Sequence, residues 1–462
     1  MKRKAVIVTL YLLWAAGCAS SDELDRPART TIYETGRPVF NLEASQQWQA
    51  GEGRIVVRLG LPRAVLTYVK SGSTYVATHE TTVRVRPEDE TSVAASTSFS
   101  DTIRVRSHED TRTFESIYYR RALNVEPGTY VAEATVIDGE TDEAVTRRQR
   151  VHVTAPEEGA AVSDLRLTAR SDSGNARRPV LSRYLAGRPD SLRAAVSLHH
   201  LRRADTARVS MRLLRFPHDS TAARPPHWLT PSRGSLAYWG VRFDRADTLQ
   251  RTRRSLARPE ASLRFAFALP DLRRGLYRVE VAARAGGREP VRRSRTFSVR
   301  APAFPRVETI KQMTQALAYI TSEEEMARLR APDSTSALKR RFDEFWGKLI
   351  PQKQRAADAV RRYFSRVEEA NRRFTTFEAG WKTDRGMLYV LFGAPLYVED
   401  RGTTLRWHYS YNERDPRDVF VFEEVPTSEG ESDFEHYVLQ RQSFYERPWR
   451  RALKRWREGE LQ

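Results

Sequence analysis

Through the first two-thirds of the chain apolar residues alternate with polar ones over short runs. Through much of the remainder they recur every three or four positions. Alternation at 55–61, 75–85, 102–105, 114–119, 130–137 and 145–153 predicts strands, separated by turn residues at roughly ten-residue spacing, as in an antiparallel sandwich. A Gly/Ala/Ser stretch after Pro156 marks a boundary, and a second set of alternating runs begins at Leu165. From Ile310 the period changes: Ile310, Met313, Leu317 and Ile320 fall on one helical face, and Ser322 with Glu325 forms a capping box for a second helix. A third helix starts at Ser334 and a fourth spans 355–374. Beyond Pro395 come short aromatic or β-branched strands at 396–399, 404–411, 419–425 and 434–439.

The two β-rich modules end alike. Pro127-Gly128-Thr129-Tyr130 leads a strand that turns at Asp138-Gly139 and closes at Val153 and Pro156; Arg274-Gly275-Leu276-Tyr277 leads one that turns at Gly286-Gly287 and closes at Val299 and Pro302. The offset is 277 − 130 = 147 at the tyrosines and 302 − 156 = 146 at the prolines, a period that reads as duplicated domains. A Gly-x-Tyr before the penultimate strand resembles the tyrosine corner of immunoglobulin-like sandwiches, whose phenol bonds back to the backbone. A plain hairpin with an aromatic lead residue is the alternative. Between the strands of the second module, residues 216–240 form a long Pro/Arg/Ser-rich loop carrying Trp228 and Trp239.

The stretch 380–395, GWKTDRGMLYVLFGAP, concentrates unusual demands. Glycines at 380, 386 and 393 and Pro395 bracket the apolar run 387–392, which reads as corner, strand, corner. Gly380, Trp381, Thr383 and Asp384, with Lys382 as the free position, carry a resemblance to the GWxTD domain of bacterial envelope proteins, covering about 346–439. The resemblance implies an envelope protein and names no activity. Asp384 and Arg385 read as a turn-forming acid and its local cation, not as a catalytic pair.

The N-terminus extends that picture. Lys2-Arg3-Lys4 and the apolar run 5–16 read as a signal peptide, too short to span a membrane. The run ends in Ala15-Ala16-Gly17-Cys18, which resembles a bacterial lipobox, and Cys18 is the sole cysteine of the chain, so the one thiol stands at the acylation position. Ala19 favours the outer membrane over inner-membrane retention, and Ser21-Asp22-Glu23 resembles surface-export signals.

Of 78 basic residues only 9 are lysine; the arginines are spread throughout, and with no zinc-finger, basic-zipper or RNP pattern the net charge of +19 does not argue for nucleic acid. Nucleophile elbow, phosphate loop, zinc-protease and Rossmann patterns are absent, so neither cofactor nor metal is expected. His199 and His200 are neighbours in a strand-like run and cannot face one site.

The tail 447–457, RPWRRALKRWR, places Trp449, Leu453 and Trp456 on one helical stripe beside cations that include Arg450, Arg451 and Arg455. Two readings stand: a contact helix lying on anionic lipid, lipopolysaccharide or an acidic partner, or a terminal helix packing its stripe on its own domain.

The expected fold is multidomain, mainly β with an α+β C-terminal part. It comprises a signal peptide (1–17), a tether (18–48), two immunoglobulin-like β-sandwiches (49–156 and 163–302), a helical connector (306–374), an antiparallel-sheet GWxTD domain (375–445) and a basic amphipathic tail (446–462). The expected function is an outer-membrane, lipid-anchored structural or protein-interaction module without catalysis, membrane-bound through Cys18 and joined to an envelope protein partner. The alternative is a glycan-binding lipoprotein using the exposed tryptophans.

Overall fold

Alternating runs become strands wherever their apolar positions can share a face. The computed structural model describes residues 29–30, 40–49, 52–113, 115–154, 161–171, 177–181, 184–185, 189–199, 206–256, 261–269, 272–284, 289–301, 303–401, 403–412, 415–425 and 436–460. The first strand, β1 (Arg29–Thr30), belongs to a sheet near the other end of the chain. In the first sandwich β2 (Asn41–Gln49), β3 (Glu52–Pro62) and β7 (Ser116–Asn124) form one antiparallel sheet. Its partner sheet contains β4 (Val69–Ser71), β5 (Thr74–Pro87), β6 (Ala95–Val105), β8 (Gly128–Asp138) and β9 (Ala144–Val153). Ile55, Val57 and Leu59 meet Val83, Ala132 and Ala134 in the core between them.

The predicted tether at 18–48 is corrected in part: β1 lies within it and β2 begins within it and ends at Gln49. Composition misled because β2 is polar, yet Phe40, Ala44 and Trp48 are buried and Gln46 satisfies its buried amide on Thr154.

The second sandwich pairs β10 (Ala161–Val162), β11 (Arg166–Ser171), β12 (Arg177–Pro179), β14 (Pro189–His199) and β17 (Ala261–Ala268) in one sheet. The other runs in the order β13 (Tyr184–Leu185), β19 (Val291–Val299), β18 (Gly275–Arg284), β15 (Ala207–Phe216), β16 (Asp247–Leu256). Both modules close with the same device: the Tyr130 hydroxyl donates to Glu126 O at 2.8 Å and that of Tyr277 to Arg273 O at 2.7 Å. The phenol thus fixes the backbone four residues upstream in each, as in the tyrosine corner. Glu43 bridges the sandwiches, accepting from Arg58 at 3.2 Å and Arg295 at 2.7 Å.

Helices α1 (Ile310–Ala316), α2 (Glu323–Arg330), α3 (Thr335–Leu349) and α4 (Lys353–Phe374) follow, with Ser322 and Ser334 capping α2 and α3 as the sequence predicts. Next comes α5 (Asp384–Phe392), then β20 (Tyr397–Asp400), β21 (Thr404–His408), β22 (Val419–Glu424), β23 (Tyr437–Leu439) and α6 (Glu446–Glu458).

Here the largest correction falls. The run 387–392, expected as a strand, is the buried body of α5. Thr383 is its N-cap, Asp384 supplies the acid of the first turn, and Gly393 ends it at φ +86°. The sheet still has five strands, in the order β1-β20-β21-β22-β23, but the fifth comes from the N-terminal segment: Arg29 pairs Glu399 and Thr30 pairs Val398. Among the described residues no helix is long and apolar enough to cross a membrane. The segment expected as a signal peptide, Cys18, the boundary expected after Pro156 and the turn expected at 286–287 lie outside the described residues.

Candidate functional site

The segment Thr375-Thr376-Phe377-Glu378-Ala379 leaves α4 and crosses to the second sandwich. Phe377 is buried there with Leu214, Phe216, Val241 and Leu276. The Tyr184 hydroxyl donates to Thr375 O at 2.7 Å and Ser298 Oγ to Thr376 O at 3.2 Å. The chain then returns through a tight turn, Gly380–Lys382, into α5. Gly380 N donates to Thr375 Oγ1 (3.0 Å) and Trp381 N to Asn371 Oδ1 (3.3 Å). The Thr383 hydroxyl accepts from Gly386 N (3.0 Å) and donates to Gly380 O (2.8 Å).

Three backbone segments touch at this turn. A Cβ on Gly386 would lie 1.8 Å from Gly380 O, and one on Gly380 would lie 2.0 Å from Ala370 O. Both motif glycines are therefore demanded by close approach, in extended or helical backbone that other residues could adopt. Trp381 is buried edge-on against Tyr319 at 5.9 Å, and the Tyr319 hydroxyl donates to Trp381 O at 2.7 Å.

Asp384 is the centre of the polar network. Its carboxylate accepts from Leu439 N at 2.7 Å and from both terminal nitrogens of Arg441, at 3.1 and 2.5 Å. Side-chain exposure is only 9% for Asp384 and 2% for Arg441, so this is a buried, forked pair at a helix N-terminus. Arg441 reaches on into the 217–240 loop, donating to Arg224 O at 3.3 Å, while its backbone N donates to Thr230 Oγ1 at 3.2 Å. The first half of the loop lies along the motif: Ala223 N donates to Lys382 O (2.9 Å), the Lys382 amine to Ser220 O, and Gln442 N, close by, to Pro226 O (3.1 Å). Arg385 stacks its guanidinium over Tyr437 (4.5 Å) and Phe374 (5.4 Å). The Tyr409 hydroxyl donates to Gly393 O at 2.9 Å, and Pro395 is buried.

Between loop and motif is a cavity of about 50 Å³ walled by Asp219, Glu378, Lys382, Asp384, His436 and Arg441. Burial pushes the Glu378 carboxyl well above the ordinary carboxylate range, with Asp219 adding to the rise. Burial lowers the Lys382 amine, and it lowers His436, whose Nε2 donates to Tyr238 O at 3.0 Å. Acid, amine and imidazole around a hollow are the parts of a proton-transfer site. The hollow, however, has room for little more than a water molecule, and Asp384, Lys382 and His436 each already hold a partner within the protein. Glu378 Oε2 has no hydrogen-bond partner among the described residues.

Of the two readings of the tail, the structure has the stripe packed on its own domain, so Trp449, Leu453 and Trp456 are not a free contact surface. Trp449 and Trp456 are buried and Leu453 packs against the same core. Trp456 Nε1 donates to Leu391 O at 3.0 Å, and its ring stands edge-on to Tyr363 at 5.0 Å. Two indoles gain more from a core with a waiting carbonyl than from solvent. Arg450, Arg451 and Arg455 remain exposed on the outer face, Arg450 paired with Glu446 at 2.7 Å. Among the described residues no cluster suited to a metal ion occurs. Glu378, His436 and Arg441 escaped sequence reasoning. The one available signal was a charged residue at 378 set between the apolar Phe377 and Ala379 immediately before the motif.

No curated protein matches this chain. Solved structures with local likeness include red sea bream transglutaminase, at 11% identity over 56% of this chain and 31% of that one, with a TM-score of 0.17. Salmonella alpha-2-macroglobulin reacted with methylamine gives 15% identity over 59% and 17%, TM-score 0.17. E. coli alpha-2-macroglobulin in its native conformation gives 14% over 60% and 16%, TM-score 0.16. The chain spans less than a third of each of these, and nothing of their chemistry carries over. The family model of the GWxTD domain matches residues 287–458, from just before β19 to the end of α6.

Proposed function

We propose that this chain is a lipid-anchored envelope protein, held on the outer membrane through Cys18, that works as a structural or protein-interaction module, with the GWxTD motif acting as an internal clamp and not as a catalytic centre. One observation carries the clamp: Asp384 spends its carboxylate on Arg441 and Leu439, and Arg441 passes the contact to the second sandwich's loop at Arg224. The motif thereby fixes the second sandwich against the C-terminal domain and leaves the outer faces of both sandwiches to a partner. Glycan binding is the second reading, supported by Trp228, which is 52% exposed on the same loop. The anchor is tested by fractionation. Cys18→Ser should release the protein from the outer membrane, because one cysteine carrying several acyl chains is the whole attachment. Retention of Cys18→Ser in the membrane fraction at high salt would contradict the anchor.

A further inference from the structure

The outer face of the sheet β19-β18-β15-β16 carries a charge arrangement that the fold itself does not favour. Arg208 on β15 stands directly opposite Arg284 on β18, and Arg212 on β15 directly opposite Arg251 on β16. Like charges placed opposite each other across strands are destabilising. Arg212 is relieved by Glu280, at 2.6 Å. Arg208, Arg251, Arg253, Arg284 and Arg292 are exposed and form no ion pair among the described residues. All of them line one cleft of about 2390 Å³ between this sheet, strands β2 and β9 of the first sandwich, and the C-terminal end of α4. Glu280 is the one carboxylate set among these arginines; of the carboxylates on the other walls of the cleft, Glu43, Glu143 and Asp164, the first is paired with Arg58 and Arg295 and the last with Arg293.

We propose that this cleft binds an acidic polysaccharide, its carboxylates received by the unpaired arginines. Charge complementarity selects an anion, and the planar guanidinium fork suits carboxylates. Successive outward positions lie about 7 Å apart along a strand and neighbouring strands about 5 Å apart, so the array meets a polymer bearing repeated charges, not a single ion. Between the arginines the face offers Ser210, Ser294 and Thr296, hydroxyls matched to sugar hydroxyls. The rings on this face and along the cleft are already covered, Phe216 and Phe374 by burial and Tyr184 by the Arg300 guanidinium at 3.6 Å, whereas single-stranded nucleic acid is gripped by base stacking. A bilayer is too broad to enter a cleft between two sandwiches. The choice of polysaccharide over other polyanions rests on the envelope reading above; the binding test does not depend on the lipid anchor.

Purified protein is titrated with polygalacturonate, and with neutral dextran, single-stranded DNA and polyglutamate as comparisons. Polygalacturonate should bind, dextran should not, and log affinity should fall linearly with log salt. The triple variant R208Q/R251Q/R253Q should lose about tenfold or more in affinity and flatten the salt slope by about 2, since each charge removed releases fewer counterions. Its thermal midpoint should stay level or rise, because the opposed charges are relieved. The charge-matched control R104Q/R106Q/R340Q, on exposed residues away from the cleft, should bind like the unaltered protein. Equal losses in the control and cleft variants would overturn the proposal, as would polygalacturonate binding no better than dextran. Tighter cleft-dependent binding of DNA or polyglutamate than of polygalacturonate would also overturn it, in favour of that other class of partner.

Discussion

Gly386→Ala tests the reason for the glycines in the motif. The added Cβ would lie 1.8 Å from Gly380 O, 2.7 Å from Gly380 C and 2.9 Å from the Trp381 Cα, all of them backbone atoms. Real Cβ contacts do not fall below 3.0 Å, so α5 and the 380–382 turn must part by more than an ångström. Neither side can yield cheaply. The turn is pinned to Asn371 and Thr375, and α5 is buried on Met387, Leu388 and Val390. In the other direction Gly380 already abuts Ala370 O, so displacing the turn drives it into α4. Overpacking of tight cores costs about 1–3 kcal/mol and occasionally more. With backbone on both sides we place Gly386→Ala at the upper end, about 3 kcal/mol, set against the small gain a helical Ala normally brings over Gly. Urea unfolding followed by circular dichroism and tryptophan fluorescence measures it. An unchanged or raised midpoint would refute the close-approach argument, since a glycine in open helix should be improved by alanine.

Glu378 should impose a pH dependence. Its folded pKa is raised above the ordinary 4.5 by burial, so the folded state holds the proton more tightly and stability falls as pH rises above that value. Lowered His436 acts with the opposite sign, so the comparison is with Glu378→Gln: the variant should gain on the unaltered protein between about pH 5 and pH 8, and a constant difference would show Glu378 ionised throughout. Trp456→Ala should destabilise by about 3–5 kcal/mol as a core truncation; normal melting combined with lost vesicle binding would restore the membrane-facing reading of the tail.

Local signals were legible where they are self-contained. The alternating runs, the repeated Gly-x-Tyr closures and the caps at Ser322 and Ser334 each depend on a few adjacent residues, and each reappears in the structure. The run 387–392 was misread because a continuous apolar stretch has no period to distinguish a buried strand from a buried helix. The deciding signal lies at its ends, Thr383-Asp384 as cap and first-turn acid and Gly393 as stop, residue types that suit corners equally well. Non-local pairings left no trace in the sequence: Arg29–Thr30 joins β20 across most of the chain, and the 217–240 loop meets the motif at Lys382 and through Arg441, for which no local pattern exists. The arginine face was hidden for a related reason. Arg208, Arg251 and Arg284 are scattered in sequence and converge only through strand register.

The clamp is tested most directly by hydrogen exchange on Asp384→Asn, which keeps the shape of the side chain and removes the charge that holds Arg441. Two amides report on it: Ala223 N, bonded to Lys382 O, and Gln442 N, bonded to Pro226 O. If Asp384 fastens the sandwich loop to the C-terminal domain, both should exchange about tenfold faster or more in the variant, a local opening made easier by about 1.4 kcal/mol, while amides of β18 keep their protection. Unchanged exchange at Ala223 and Gln442, or acceleration spread evenly over the whole chain, would contradict the account of the motif as an interdomain clamp.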